Sequence, residues 1–410
     1  MMKPCQQKRA RSAMPQTISG VLSKTLRRSV ALALTCFLLL NLAAIARADE
    51  RYRDQVESSR LAQLPAAADW LLPEPIAELE ALLVTAPAVE TATAQAERIG
   101  TALWQSVRNN VQLRRAFDDR PLYWTRLALQ ARLQQHAREQ GWSPTTQEQL
   151  WLALEHASRG ISSVAYDEAP ERLFVTGFDP FRLDQTITQS NPSGLAALAL
   201  DGRQWQIGSR RILIEAVLIP VRFADFDAGM IEAVLTPQMT DPQLQLLVTI
   251  SMGRSGFDLE RFPGRRRSAD APDNRQHKTG GTPQQPVLPR LGERALAGPE
   301  FVEFSLPVAR MLRVQRPFPV TDNGEVTTKA GVIRARSLAD LQYHTAVSGS
   351  GGGYLSNEIS YRSLLLRDAL RPSLPVGHIH TPRVPGFDPV QEQQIVDQIE
   401  ALLQAALRSP

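Results

Sequence analysis

Along the chain, apolar positions fall into two patterns that divide it near residues 160–170. From Asp49 to about Gly160 they recur at helical spacing. Ile76, Leu79, Leu82 and Leu83 make one amphipathic stripe, entered through Pro73-Glu74-Pro75, and Leu103, Trp104, Val107 and Val111 make another within a longer segment from Ala88 to Phe117. Asp119-Arg120-Pro121 and Ser143-Pro144 place prolines where helices begin, the second ahead of Leu150, Trp151, Leu152 and Leu154. Five of the six tryptophans (Trp70, Trp104, Trp124, Trp142, Trp151) belong to this part and only Trp205 lies beyond it.

After Glu171 the pattern becomes short β-branched runs separated by helix-like segments. The runs Leu173–Thr176, Ile212–Ile219, Leu246–Ile250, the one ending at Val347, and Val376–His380 predict strands. Pro192–Ala199, Phe226–Leu235, Val308–Leu312, Leu355–Leu366 and Pro389–Leu407 predict helices. This alternation predicts an α/β domain with a largely parallel sheet, whose functional groups gather at the carboxyl ends of strands. Between Phe262 and Pro299, Arg265-Arg266-Arg267, Gly280-Gly281 and several prolines show no apolar period, so residues 263–299 read as a long mobile loop with a solvated arginine run.

The first 48 residues change what composition means. Seven basic residues precede an apolar run from Val30 to Ala46, and Ala46-Arg47-Ala48 is an A-x-A site, so 1–48 reads as a secretory signal peptide cleaved after Ala48. The run of about 17 residues is short for a stable membrane span. Removing the eight basic residues of this leader from the 46 Lys and Arg leaves 38 against 42 Asp and Glu, a net charge of −4 in place of +4. Nothing global then argues for nucleic acid or an anionic membrane. Cys5 and Cys36 both lie in the leader, so the exported chain has no disulfide, thiolate metal site or cysteine nucleophile. The expected organisation is a leader over 1–48, an all-helical N-terminal domain of unknown role over 49–168, and an α/β domain over 169–410, exported to the periplasm or beyond.

Candidate chemistry centres on Val347 to Asn357, V-S-G-S-G-G-G-Y-L-S-N, where an apolar run meets four glycines and then a helix pattern. Glycines there allow close backbone approach and positive φ, and the opening turn of a helix presents unpaired N–H groups to an anion. Ser356 stands where such donors would stabilise an oxyanion. The turn is not a phosphate loop, since no Gly-Lys-Ser/Thr follows, and G-x-S-x-G does not occur around it. His136 and His156 read as helix-surface residues, and His378, on the face of His380 if that strand is regular, as a packed histidine, so no metal or other cofactor is expected.

Several motifs carry a resemblance. Thr176-Gly177-Phe178-Asp179-Pro180-Phe181, Asn191-Pro192-Ser193, Leu218–Phe223, Gly253-Arg254-Ser255 with Leu259-Glu260-Arg261, Pro272-Asp273-Asn274, Ser305-Leu306-Pro307, the glycine turn and Gly377-His378-Ile379-His380-Thr381-Pro382 occur in the order seen in pyroglutamyl peptidase I. The chain resembles that family over about residues 172–410. The resemblance implies a three-layer α/β fold with helices on both faces of the sheet, removal of an N-terminal pyroglutamyl group from a peptide with a blocked N-terminus, and self-association. It places Glu260 and His380 on the family's triad glutamate and histidine and Ser356 on its nucleophilic cysteine, in Tyr354-Leu355-Ser356-Asn357. Phe178 and Phe181 resemble the walls of the pyroglutamyl pocket, and Asn191 and Leu355 fall in motifs beside it. Two positions depart from the pattern: Arg182-Leu183 replaces a glycine pair, and Asp270 stands where an arginine is expected.

Three readings of Ser356 follow: a working serine nucleophile, a disarmed site in a domain that only binds peptide ends or a protein partner, or a helix N-cap. A site shaped for sulfur loses activity with oxygen, because a hydroxyl must be deprotonated during attack, whereas a thiolate forms beforehand.

Overall fold

The chain was analysed as a computed structural model, described over residues 56–65, 68–85, 88–113, 115–164, 171–315 and 317–408. The expected leader and its cleavage site lie outside these residues. The helices are α1 (Val56–Ser59), α2 (Pro73–Thr85), α3 (Val89–Gln112), α4 (Arg120–Glu139), α5 (Pro144–Ala157), α6 (Pro192–Leu200), α7 (Phe223–Asp227), α8 (Met230–Thr240), α9 (Val308–Met311), α10 (Leu355–Leu370) and α11 (Pro389–Leu407). Their starts follow the local chemistry. Proline occupies the first turn of α4, α5, α6 and α11, and Ser143, Asn191 and Asp388 cap the last three by accepting first-turn N–H groups.

The strands are β1 (Glu171–Phe178), β2 (Gln204–Ile207), β3 (Arg210–Ile219), β4 (Leu244–Met252), β5 (Phe257–Glu260), β6 (Arg290–Leu291), β7 (Arg294–Ala295), β8 (Val320–Asn323), β9 (Glu325–Thr328), β10 (Gly331–Arg334), β11 (Ala346–Ser348) and β12 (Val376–Thr381). Seven form one mixed, mostly parallel sheet in the order β2-β3-β1-β4-β12-β5-β8. Here β1 runs parallel to β3 and β4, β12 to β4, and β5 to β8, while β2/β3 and β12/β5 are antiparallel. The central strands are nearly continuous apolar runs because they are covered from both sides. Helices pack on the sheet in two groups, α6 with α11 and α8 with α10. This is the α/β architecture that the alternating pattern predicts.

Two expectations change. The run ending at Val347 is a strand, but β11 pairs with β9 in a separate three-stranded sheet, β10-β9-β11, and not in the main one. Its apolar residues serve a second small core of Phe262, Phe301, Val326, Ala335, Leu341 and Ala346. The segment 263–299, expected as a mobile loop, is tied down: Arg265 donates to the Leu296 carbonyl, Arg266 pairs with Glu300 at 2.8 Å, and Arg267 pairs with Glu358 and Asp227. Arg267 is buried, so the arginine run is not simply a solvated surface. Ion pairing from distant carboxylates supplies what the missing apolar period does not.

The helices before Gly160 pack against the α/β part. One apolar core runs from Leu79 and Trp104 through Phe174 and Leu198 to Leu402. Trp104 donates to the buried carboxylate of Asp201 at 3.0 Å, and its ring lies against Gly160. Beneath this contact is a buried charge cluster. Arg126, Glu155 and Arg159 from the helical part meet Asp179, Arg222 and Asp225 from the α/β part, with Arg159–Asp179 at 2.7 Å, Arg159–Glu155 at 2.8 Å and Arg222–Asp225 at 2.7 Å. Glu57 of α1 extends it to Arg222 and Arg275. Buried ion pairs thus join the helical part to the α/β part.

Candidate active site

Three neighbouring strands position the polar centre. The antiparallel pairing of β12 with β5 sets His380 across from Asp258, and the parallel pairing of β5 with β8 sets Glu260 across from Asn323. His380 Nδ1 lies 2.6 Å from Glu260 Oε1, with Glu260 fully buried and His380 only 7% exposed. Asn323 Nδ2 donates to Glu260 Oε2 at 2.9 Å and to the Ser350 carbonyl at 3.0 Å, tying the acid to the glycine turn.

That turn is closed by reciprocal hydrogen bonds between Gly349 and Gly352, both 3.0 Å. Glycine is required where the chain comes closest to its neighbours. A Cβ on Gly353 would stand 2.0 Å from Ser268 Oγ, and one on Gly349 would stand 2.2 Å from Asn357 Oδ1. Asn357 in turn brackets Gly264, accepting from its N–H at 2.9 Å and donating to its carbonyl at 2.7 Å. The result is a rigid entry to α10, where Ser356 is the second residue. Its hydroxyl donates to the Gly351 carbonyl at 3.3 Å. The His380 ring approaches the same glycine, its Cε1 lying 3.6 Å from where a Gly351 Cβ would be. No hydrogen bond joins Ser356 to His380 among the described residues. The first-turn N–H groups of Leu355 to Asn357 have no main-chain acceptor among those described, as expected of a helix start.

Beside Ser356 is a small cleft that brings Phe178, Phe181, Asn191 and Leu355 together. Phe178 ends β1 and stacks on Phe226 with ring centroids 6.4 Å apart. Asn191 caps α6, and its side-chain amide donates to the Asp179 carbonyl at 2.9 Å while its backbone N–H donates to Asp119 Oδ2 at 3.0 Å. Sequence reasoning missed four further lining residues, Val221, Ser251, Met252 and Tyr354. The available signal for Ser251 was a polar residue closing the apolar run of β4. Asn323 carried no signal beyond its place near the end of a short strand.

His378 explains why Ser251 is fixed. It is fully buried, with Nδ1 2.8 Å from Thr249 Oγ1 and Nε2 2.8 Å from Ser251 Oγ. Burial, followed by the neighbouring His380 at 4.9 Å between centroids, holds its pKa well below the usual histidine range. It is a neutral packing residue on the same strand face as His380. His136 is half-buried, edge-on to Trp142 at 5.2 Å, and among the described residues no group of three histidines, cysteines or carboxylates is placed to hold a metal.

Both sequence departures border the site. Arg182 has a left-handed backbone, φ +62°. Asp270 is exposed and pairs with Lys278 at 2.9 Å.

The chain matches two family models. PA0049, C-terminal domain, covers residues 172–298 and 321–385, and the PA0049 N-terminal domain covers residues 42–155. The uncharacterized protein PA0049 of Pseudomonas aeruginosa is 30% identical over 377 residues, spanning 69% of this chain and 68% of that protein. Among solved structures, a single-residue mutant of pyrrolidone carboxyl peptidase from Pyrococcus furiosus is similar at 21% identity, covering 58% of this chain and 98% of that one with a TM-score of 0.40. The parent enzyme solved with its cysteine-free mutant matches with the same values. The two family models and the Pseudomonas relative together show that this chain belongs to the PA0049 family.

Proposed function

We propose that the chain is an exported hydrolase that removes an N-terminal pyroglutamyl group, or a similar lactam or acyl group, from a peptide by a Ser356, His380 and Glu260 triad. The observation that carries this reading is the buried His380–Glu260 pair at 2.6 Å, facing the same glycine turn that presents Ser356 at the mouth of a Phe178/Phe181 cleft. In this reading Glu260 accepts a hydrogen bond from Nδ1–H and so leaves Nε2 as the base. Rotation of Ser356 away from Gly351 brings Oγ to the acyl carbon. Its proton passes to His380 as the C–O bond forms, and the proton is returned to the leaving nitrogen as the C–N bond breaks. Water, deprotonated by His380, then releases the acyl group and regenerates the serine. The first-turn N–H groups of α10 stabilise the oxyanion, a contribution of about 10²–10³ in rate per donor. The apolar cleft takes the flat lactam ring, with polar edges met by Asn191 and main chain.

A second reading has a specific observation in its favour. The Ser356 hydroxyl donates to the Gly351 carbonyl and not to His380, which favours a disarmed site that only binds peptide ends. Covalent labelling separates the two. An active serine reacts with an organophosphate or a pyroglutamyl aldehyde, giving an adduct on the peptide that contains Ser356. Absence of an adduct while a pyroglutamyl peptide still binds favours the disarmed site.

A further inference from the structure

A second, wider cleft opens on the other side of Ser356. It is the roomier of the two, and they share Phe181, Met252, Tyr354 and Ser356. If the inner cleft holds the acyl group, a group leaving from Ser356 has its path into the outer one. The inference that follows therefore rests on the peptidase reading.

Three carboxylates and two arginines line the outer cleft. Its carboxylates are engaged: Asp184 takes two hydrogen bonds from Arg60 at 3.0 and 2.9 Å, Asp270 pairs with Lys278, and buried Asp273 accepts the N–H groups of Phe223, Arg275 and His277. Two exposed cations, Arg182 and Arg383, line the same cleft and have no carboxylate partner among the described residues. Arg182 also occupies a left-handed backbone position, φ +62°, that costs a residue other than glycine on the order of 1–2 kcal/mol. A long cationic side chain is thus kept, at a conformational cost, at the rim of the cleft. The first turn of α10, with its unpaired N–H groups, adds positive potential on the same side.

We propose that this cleft is a leaving-group subsite for a carboxylate, with Arg182 and Arg383 selecting peptides that carry a negative charge next to the blocked residue. The carboxylate has two sources, the side chain of an acidic second residue or the free α-carboxyl of a dipeptide. The chemistry required is the same: an anion within reach of two guanidinium groups in a partly solvated cleft, where each contact contributes a few-fold in affinity and is screened by salt.

The test is binding of intact peptides by calorimetry to the full chain carrying Ser356→Ala. The probes are pyroglutamyl-glutamine-amide as the neutral reference, pyroglutamyl-glutamate-amide, pyroglutamyl-alanine with a free carboxyl, and pyroglutamyl-lysine-amide. We expect at least one anionic peptide to bind about tenfold tighter than the reference at low salt, an advantage that shrinks as ionic strength rises. The side-chain and α-carboxyl probes distinguish the two sources. Arg182→Gly together with Arg383→Ala removes the advantage without altering the affinity of the neutral peptide, and Arg182→Gly suits the backbone, so loss of fold does not confuse the result. Arg383→Glu shifts preference towards the lysine peptide. Equal binding of all four probes overturns the subsite and leaves the peptidase reading standing, whereas no binding of any probe overturns both.

Discussion

Replacing Glu155 with alanine removes one carboxylate from the centre of the buried charge cluster. Glu155 is 2% exposed and holds Arg159 at 2.8 Å, Arg222 and Gln130 through shorter contacts, and Arg126 at 3.9 Å. Burial alone would raise its pKa, but Arg159, Arg222 and Arg126 together hold it well below the usual carboxylate range. Its removal leaves cations with too few counter-charges in a region closed to water, at a cost of about 3–5 kcal/mol for breaking a buried pair. For a chain of this size that corresponds to a fall of roughly 4–7 °C in Tm. Chemical denaturation and calorimetry would measure it, with Asp270→Ala as the comparison. Asp270 and Lys278 are 64% and 54% exposed at their side chains, and breaking that pair costs about 0–1 kcal/mol. Glu155→Gln keeps the shape and part of the hydrogen bonding and falls between the two. The linkage has a definite sign: a carboxyl whose pKa is depressed by folding stabilises above about pH 4.5, its unfolded value, and loses that contribution as pH falls further. If Glu155→Ala costs less than about 1 kcal/mol, the cluster does not bind the helical part to the α/β part and the reasoning fails.

The remaining predictions concern other places. Glu392 is fully buried, accepts from Ser190 and has its pKa pushed up to about 7, first by burial and then by Asp118. Its folded pKa exceeds the unfolded value of 4.5, so the folded state holds a proton that the unfolded chain has lost, and stability falls as pH rises from about 4.5 to 7, by roughly 3 kcal/mol at most. Glu392→Gln flattens that part of a stability–pH curve, and an unchanged slope would contradict the assignment. Gly353→Ala pushes a methyl into Ser268 at 2.0 Å, so it displaces the turn and abolishes any activity or peptide binding; a fully functional variant would show that the turn need not be rigid.

How much of this was legible in the sequence depended on range. The helix starts of α5 and α6 were readable because proline and a capping side chain act within one turn. The central strands were readable because strands covered on both sides are continuous apolar runs. Glu260, His380 and Ser356 were located by their motifs, although Glu260 and Ser356 are 96 positions apart in sequence and only folding sets the geometry. What was not legible is long-range pairing. Nothing local tells that Arg267 meets Glu358 and Asp227, so the segment around it reads as loose. The same holds for β11, whose apolar residues fit either sheet, and for Arg126 and Glu155, which look like ordinary helix charges until Asp179 and Arg222 close over them.

The most direct test of the central claim is hydrolysis of a fluorogenic pyroglutamyl amide by the purified chain, beside Ser356→Ala and Ser356→Cys. The account predicts turnover by the natural chain that vanishes in the alanine variant. Turnover unaffected by Ser356→Ala, or an inert natural chain whose cysteine variant is active, would contradict the claim that this serine is the working nucleophile.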